Sequence, residues 1–199
     1  AVYSVTFSSD GQTLISGGED SRVRLWDSQD DFTDRALISY QPEIISVVLS
    51  PDGKTLISVG LDGTIWMWDS QGKRINSPLE NYDTPISSIA FSPDGQTIVS
   101  GSEYGSIRLW DSQGNRIVFD SQGKPIGHHL EKHQGDVRSL AFSLDGQILA
   151  SAGEDGTIRL WNNQAEPISK PLEGHEGSVT SIAFDPDEQI LASAGEDST

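Results

Sequence analysis

One string of about 26 residues occurs five times in this chain, opening at Val2, Ile44, Ile86, Val137 and Val179, and nothing else in the sequence limits the possible folds as much. The copies read VYSVTFSSDGQTLISGGEDSRVRLWD, IISVVLSPDGKTLISVGLDGTIWMWD, ISSIAFSPDGQTIVSGSEYGSIRLWD, VRSLAFSLDGQILASAGEDGTIRLWN and VTSIAFDPDEQILASAGEDST. Trp26, Trp68, Trp110 and Trp161 mark the period: 42, 42 and then 51 residues. The long interval carries a tandem duplication, DSQGNRIVF followed by DSQGKPIGH, which lengthens a loop after Trp110. A unit this short cannot bury an apolar face alone, so the copies must stack on one another.

Each period parses into four short strands. The first alternates and stops at a turn of the SPDG kind, where Asp-Gly supplies the positive φ of a tight reversal. The second ends at a Gly-rich turn such as GEDG, and TIRLW, β-branched and aromatic, forms the third. The fourth is the most degenerate, and its prolines suit an edge without a further partner. No segment offers a sustained helical stripe. An all-β fold follows: a β-propeller of four-stranded antiparallel blades, in which radial repetition covers the faces of each sheet.

The RLWD and MWD endings, the EGH at 173–175 and the period near 42 resemble the WD-repeat β-propeller family over essentially the whole chain. The near-identity of the copies is similar to bacterial arrays of near-identical WD repeats, which are often attached to signalling or NTPase domains. The resemblance implies a buried hydrogen-bonded tetrad in each repeat: a His before the first strand, a Ser in the second, an Asp in the next turn and the strand-three Trp. His133, Ser151, Asp155 and Trp161 match it completely. The fifth repeat offers His175, Ser193 and Asp197, whereas Tyr40 and Tyr82 occupy the His slot of repeats two and three and Tyr104 replaces the turn Asp of the third. Repeat one retains Ser16, Asp20 and Trp26. Ser, His and Asp together suggest a hydrolytic triad, but this Ser recurs as Ser16, Ser58, Ser100, Ser151 and Ser193, as a scaffold element would and a unique nucleophile would not. The reading is therefore structural, and the chain is expected not to be an enzyme.

Composition narrows the partners. With 13 Lys and Arg against 30 Asp and Glu the net charge is −17, which disfavours nucleic acid and anionic membranes, and no apolar run approaches the roughly 20 residues that span a bilayer. There is no Cys, hence no disulfide or thiolate site. Phosphate-binding Gly loops are absent. His128, His129 and His133 lie close in sequence but lack a second ligand cluster for zinc, and Asp27, Asp30, Asp31 and Asp34 lack the Gly and distal Glu of a calcium loop. No metal or cofactor is expected, and the expected compartment is the cytoplasm.

Repetition also separates slots that hold a blade together from slots free to specialise. The second position of the first strand changes chemistry in every copy: Tyr3, Ile45, Ser87, Arg138, Thr180. The residue before the turn Asp reads Glu19, Leu61, Glu103, Glu154 and Glu196. By the family resemblance both slots line the top face around a central channel. The expected function is a scaffold for protein–protein interaction or sensing, within a larger signalling protein and taking a protein or peptide partner of basic character. The alternative is a lectin-like propeller that binds a small ligand or carbohydrate, which would place aromatic residues repeatedly in pockets between blades. Trp66 stands where other copies carry Arg24, Arg108 and Arg159, and is expected to pack rather than bind. The repeats span 2–43, 44–85, 86–136, 137–178 and a short 179–199, about four and a half blades. That count predicts an incomplete propeller over 1–199, an excerpt of a larger ring (for example seven-bladed) or a ring completed by self-association or a second chain, because open blade faces and edges are association hazards.

Overall fold

A computed structural model describes residues 1–27, 34–38, 42–75, 79, 84–117, 130, 133–185 and 190–199, with the side chains of 34–36 and 38 excluded. The chain divides into two units, Ala1–Ile86 and Ser87–Thr199. The first holds two antiparallel sheets. One is four-stranded in the order β1 (Val2–Phe7), β2 (Thr13–Gly18), β3 (Arg22–Asp27), β4 (Asp34–Ile38); the other has β5 (Ile44–Leu49), β6 (Thr55–Gly60) and β7 (Ile65–Asp69). The second unit begins within β8 (Ile86–Phe91), which continues into β9 (Thr97–Ser102), β10 (Ile107–Asp111) and the two-residue β11 (Arg116–Ile117). Three-stranded β12 (Val137–Phe142), β13 (Ile148–Gly153), β14 (Ile158–Asn162) and two-stranded β15 (Val179–Phe184), β16 (Leu191–Gly195) follow. One turn of 3-10 helix at Glu103–Gly105 is the only helical piece among the described residues. No helix there is long and apolar enough to cross a membrane.

The fourth strand is less regular than the sequence predicts. It ladders in the first and third sheets, but in the second and fourth it makes only isolated bridges: Ile65 with Leu79, Trp68 with Arg74, Ile158 with Leu172 and Trp161 with Pro167. In the fourth sheet the amides of Ile168 and Leu172 donate to Leu160 and Ile158 at 2.9 and 2.8 Å, and Pro167 and Pro171, one residue before each, fall at positions whose amides would face away from the third strand, as suits an edge.

The SPDG turns close by the same bonds wherever they are described. The Ser8, Ser50, Ser92 and Ser143 hydroxyls donate to Asp10, Asp52, Asp94 and Asp145 at 2.6 to 2.7 Å. The amides of Gln12, Lys54, Gln96 and Gln147 donate to the same carboxylates, and the amides of Thr13, Thr55, Thr97 and Ile148 donate back to the serines. Serine first, then the amide, hold these four carboxyls below the ordinary carboxylate range. Gly11, Gly53, Gly95 and Gly146 take φ near +70°, a conformation that favours glycine.

Between neighbouring sheets the core is built from one face of each first strand. In the first unit Ile44 and Val47 of β5 pack with Ile15 and Val23 of the preceding sheet, and Trp66 and Trp68 join the same cluster. In the second, Val137 and Leu140 pack with Val99 and Ile107, and Val179, Ile182 and Phe184 pack with Ala150, Ala152, Ile158 and Leu160. A serine hydroxyl stitches two of these junctions: Ser4 accepts from the Val47 amide at 3.1 Å, and Ser139 from the Ile182 amide at 3.2 Å.

Candidate functional site

The four tetrad residues meet. His133 Nε2 lies 2.8 Å from Ser151 Oγ, its Nδ1 lies 3.0 Å from Asp155 Oδ1, and Trp161 Nε1 donates to Ser151 Oγ at 3.1 Å. The Thr157 hydroxyl and the Gln134 amide donate to Asp155 at 2.7 and 2.9 Å. Burial pushes the His133 ring pKa down against the pull of Asp155, so the ring is neutral. Burial also works to raise the Asp155 carboxyl, but Gln134, His133 and Thr157 bind its ionised form and hold it at about 2. The distances imitate a hydrolytic triad, yet Ser151 is fully buried and no substrate carbonyl can reach its Oγ. The fifth repeat repeats the arrangement, with His175 at 2.8 Å from Ser193 and 2.9 Å from Asp197. Trp26 and Trp68 likewise donate to Ser16 and Ser58, each at 2.9 Å. Tyr40 and Tyr82 lie outside the described residues.

The variable slots have a local geometry that the sequence did not reveal. In four sheets the register of the first strand shifts between its first and third residues: Val2 pairs with Gly18 and Ser4 with Gly17, and the same slip recurs at Ile44/Ser46, Val137/Ser139 and Val179/Ser181. Tyr3, Ile45, Arg138 and Thr180 are therefore the extra residues of β-bulges, where a side chain is aimed away from the regular pleat. The turn slot is tied to the same end of each sheet. The amides of Leu61, Glu154 and Glu196 donate to the carbonyls of Glu43, Asp136 and Ser178, the residues just before the first strands, at 2.8 to 2.9 Å. Tyr3, Leu61, Ser87, Arg138, Glu154, Thr180 and Glu196 are exposed, as is Glu19, while Ile45 and Glu103 are half-buried.

These residues differ in how much of their chemistry is engaged within the fold. Arg138 sits 3.4 Å from Asp136 and 3.5 Å from Glu154, so a bulge residue meets the turn glutamate of its own sheet. The Ser87 hydroxyl donates to the Val137 carbonyl at 2.7 Å, and Thr180 Oγ1 to Ala194 at 3.1 Å. Desolvation first, then Glu43 and Glu19, push the Tyr3 phenol up. Trp66 is buried with the guanidinium of Arg74 stacked 3.9 Å over its ring, the packing role its position predicts.

Two pockets occupy equivalent places between neighbouring sheets, one in each unit. About 250 Å³ is lined by Asp10, Leu25, Leu49, Asp52 and Leu56, and about 200 Å³ by Asp94, Leu109, Phe142, Asp145 and Leu149. Among the described residues, Phe142 is the single aromatic in either lining. Among the described residues no three His, Asp or Glu side chains gather as metal ligands. Both ring nitrogens of His133 are hydrogen-bonded, while His128, His129, Asp30 and Asp31 and the Asp34 side chain lie outside the described residues.

The family of the WD domain, G-beta repeat, matches residues 1–27, 37–69, 72–111, 123–162 and 166–199. The chain belongs to the WD-repeat family. A comparison with curated proteins finds no match. The sheets described above are WD-repeat β-propeller blades, a scaffold fold that is generally non-enzymatic and typically binds protein partners.

Proposed function

We propose that this WD-repeat chain is a non-enzymatic interaction or sensing module of a larger signalling protein, and that its partner is a basic protein or peptide segment docking at the blade ends that carry the bulges. The observation that carries this reading is the coincidence of sequence variation with the β-bulge. The one first-strand position that changes chemistry in every copy is, in the four sheets whose register slips there, the position whose side chain leaves the pleat, beside a turn that carries Glu in four of five copies. Side chains placed this way vary without disturbing strand pairing, as a recognition surface requires. The acid excess supplies long-range attraction for a cation. The lectin-like alternative is not favoured: among the described residues, sugar-stacking aromatics do not recur in the interblade pockets.

Binding of an oligo-arginine peptide, followed by fluorescence anisotropy, tests the proposal. Glu103→Lys combined with Glu154→Lys weakens binding by about tenfold at low ionic strength, and the difference shrinks as salt is added. Arg138→Ala removes the cation beside Glu154 and moves the affinity the other way. Equal affinity of parent and charge-reversed protein at every salt concentration rejects the acidic surface.

A further inference from the structure

The pockets of the two units are built from matching residues, and one difference between them points to a ligand. Asp10, Leu25, Asp52 and Leu56 of the first correspond to Asp94, Leu109, Asp145 and Leu149 of the second, and Leu49 corresponds to Phe142. In the second pocket Leu149 is buried and Leu109, Ile117 and Phe142 are half-buried, while Asp94 and Asp145 are exposed, so an apolar interior opens beside two carboxylates. Each carboxylate engages its turn through Oδ1, which accepts the serine hydroxyl and the amide two residues on; Oδ2 takes neither bond. Both groups are ionised at neutral pH. In the first unit Lys54 follows Asp52 by two residues, and its ammonium lies 3.4 Å from Asp52 Oδ2. In the second that slot is Gln147, whose side-chain oxygen accepts from Asn163 at 3.1 Å, and among the described residues neither Lys nor Arg lines the pocket. The chain thus supplies its own cation to one pocket and omits it from the other.

We propose that the pocket of the second unit binds a primary alkylammonium, with a stem of about four carbons against Leu109, Phe142 and Leu149 and the charged nitrogen at Asp94 and Asp145. Its volume of about 200 Å³ is smaller than the roughly 300–1,000 Å³ of sites for drug-sized molecules and suits a ligand of this size. Removing the stem from water supplies most of the affinity, since each buried methylene is favourable, whereas an ion pair at an exposed carboxylate adds little by itself. The carboxylates act as the selector, favouring the cation over a neutral molecule of the same shape. A free amine and the side chain of a partner's lysine both present this group. The site goes beyond the docking surface proposed above and is separate from it: the pocket lies at the turns that end β8 and β12, whereas Arg138 and its bulge lie where β12 begins.

Titration of the full chain with n-butylamine hydrochloride, followed by the amide NMR shifts of Gln96, Gly146 and Gln147 at about 0.15 M salt, is the test. These amides shift to saturation with butylammonium, and butan-1-ol, its neutral counterpart, binds at least about threefold more weakly. Asp94→Asn combined with Asp145→Asn lowers the affinity for butylammonium by about threefold or more. Asn keeps the Oδ1 acceptor for the serine and the amide, so the turns still close, and circular dichroism checks the fold. Gln147→Lys reproduces the Lys54 arrangement and weakens binding in the same way. Glu103→Lys with Glu154→Lys, which disables the acidic surface at the other end of the sheets, leaves it unchanged, so the two proposals fail separately. Nα-acetyl-lysine methylamide, run in parallel, distinguishes the sources: binding equal to that of butylammonium supports a partner's lysine, and binding of butylammonium alone supports a free amine. Amides that do not shift, butan-1-ol that binds as well as the cation, or a double Asn variant that binds like the parent overturns the proposal.

Discussion

His133 shows how one residue ties stability to pH in this chain. Its ring is buried, hydrogen-bonded at both nitrogens and pushed below its ordinary pKa. The sign follows from linkage. Above the unfolded value of about 6.5 the ring is neutral in both states and the stabilisation is complete; as pH falls through that value the unfolded chain takes up the proton first, and stability is lost. Asp155 acts in the same direction at lower pH, because its folded value of about 2 lies below the unfolded one and its contribution fades as pH falls towards 2. The unfolding free energy therefore declines as pH is lowered from about 7 to about 5, and His133→Asn flattens that slope. Asp155→Ala leaves the Gln134 amide and Thr157 hydroxyl without their acceptor and costs about 1–3 kcal/mol, read as a lower melting midpoint. An unchanged midpoint in Asp155→Ala removes the structural reading of the tetrad.

At the scale of the element, the closest approaches between neighbouring sheets fall at glycines of two second strands, in a slot that is Val59 in the second repeat. Gly17 and Gly101 leave no room for a β-carbon, which would overlap Ile44 in one case and Val137 in the other. At the same position the fourth repeat carries Ala152 and the fifth Ala194. The Gly-type junctions thus lack room that the Ala-type junction has, and Gly101→Ala overpacks the contact with Val137 at a cost of about 1–3 kcal/mol. Chemical denaturation of that variant, read as a lower midpoint with an unchanged slope, checks the expectation. Much of this level was legible beforehand. Alternation located the first strands, the SPDG turns located the hairpins, and the recurrent Ser and Trp located the blade interior, because each signal is local and repeated. The β-bulge was not legible. Nothing in VYSVTF separates a bulged residue from a paired one, since the slip is a property of two strands in register. The turn after Ser102 is another example: Tyr104 and Gly105 both adopt positive φ there, and only the Gly announces it. The Arg138–Glu154 ion pair joins residues 16 apart in sequence and needs the same β12–β13 pairing to be seen.

For the molecule as a whole, a net charge of −17 on 199 residues sets two opposite responses to salt. The carboxylates repel one another in the folded chain, so neutral salt screens that repulsion and raises the melting midpoint by a few degrees, on the order of 2–4 °C. The same screening weakens capture of a cationic probe. Melting and binding measured across one salt series must therefore move apart; if both fall together, the charge lies in local pairs rather than in a diffuse field.

The four matching Ser–Asp–amide turns also bear on how the chain finds its own pairing. Copies this similar carry almost no side-chain address, and any first strand is chemically fit to ladder with any second strand. What distinguishes the native partner is proximity along the chain. The knot at Ser8 and Asp10, and at its three counterparts, closes a short loop locally, ahead of any pairing that must cross a whole repeat. Correct assembly in such an array is a race won by the nearest strand, and these small polar turns decide the winner. The fifth copy has Asp185 in place of the serine and Glu188 in place of the glycine, so its strands enter that race with the weakest head start.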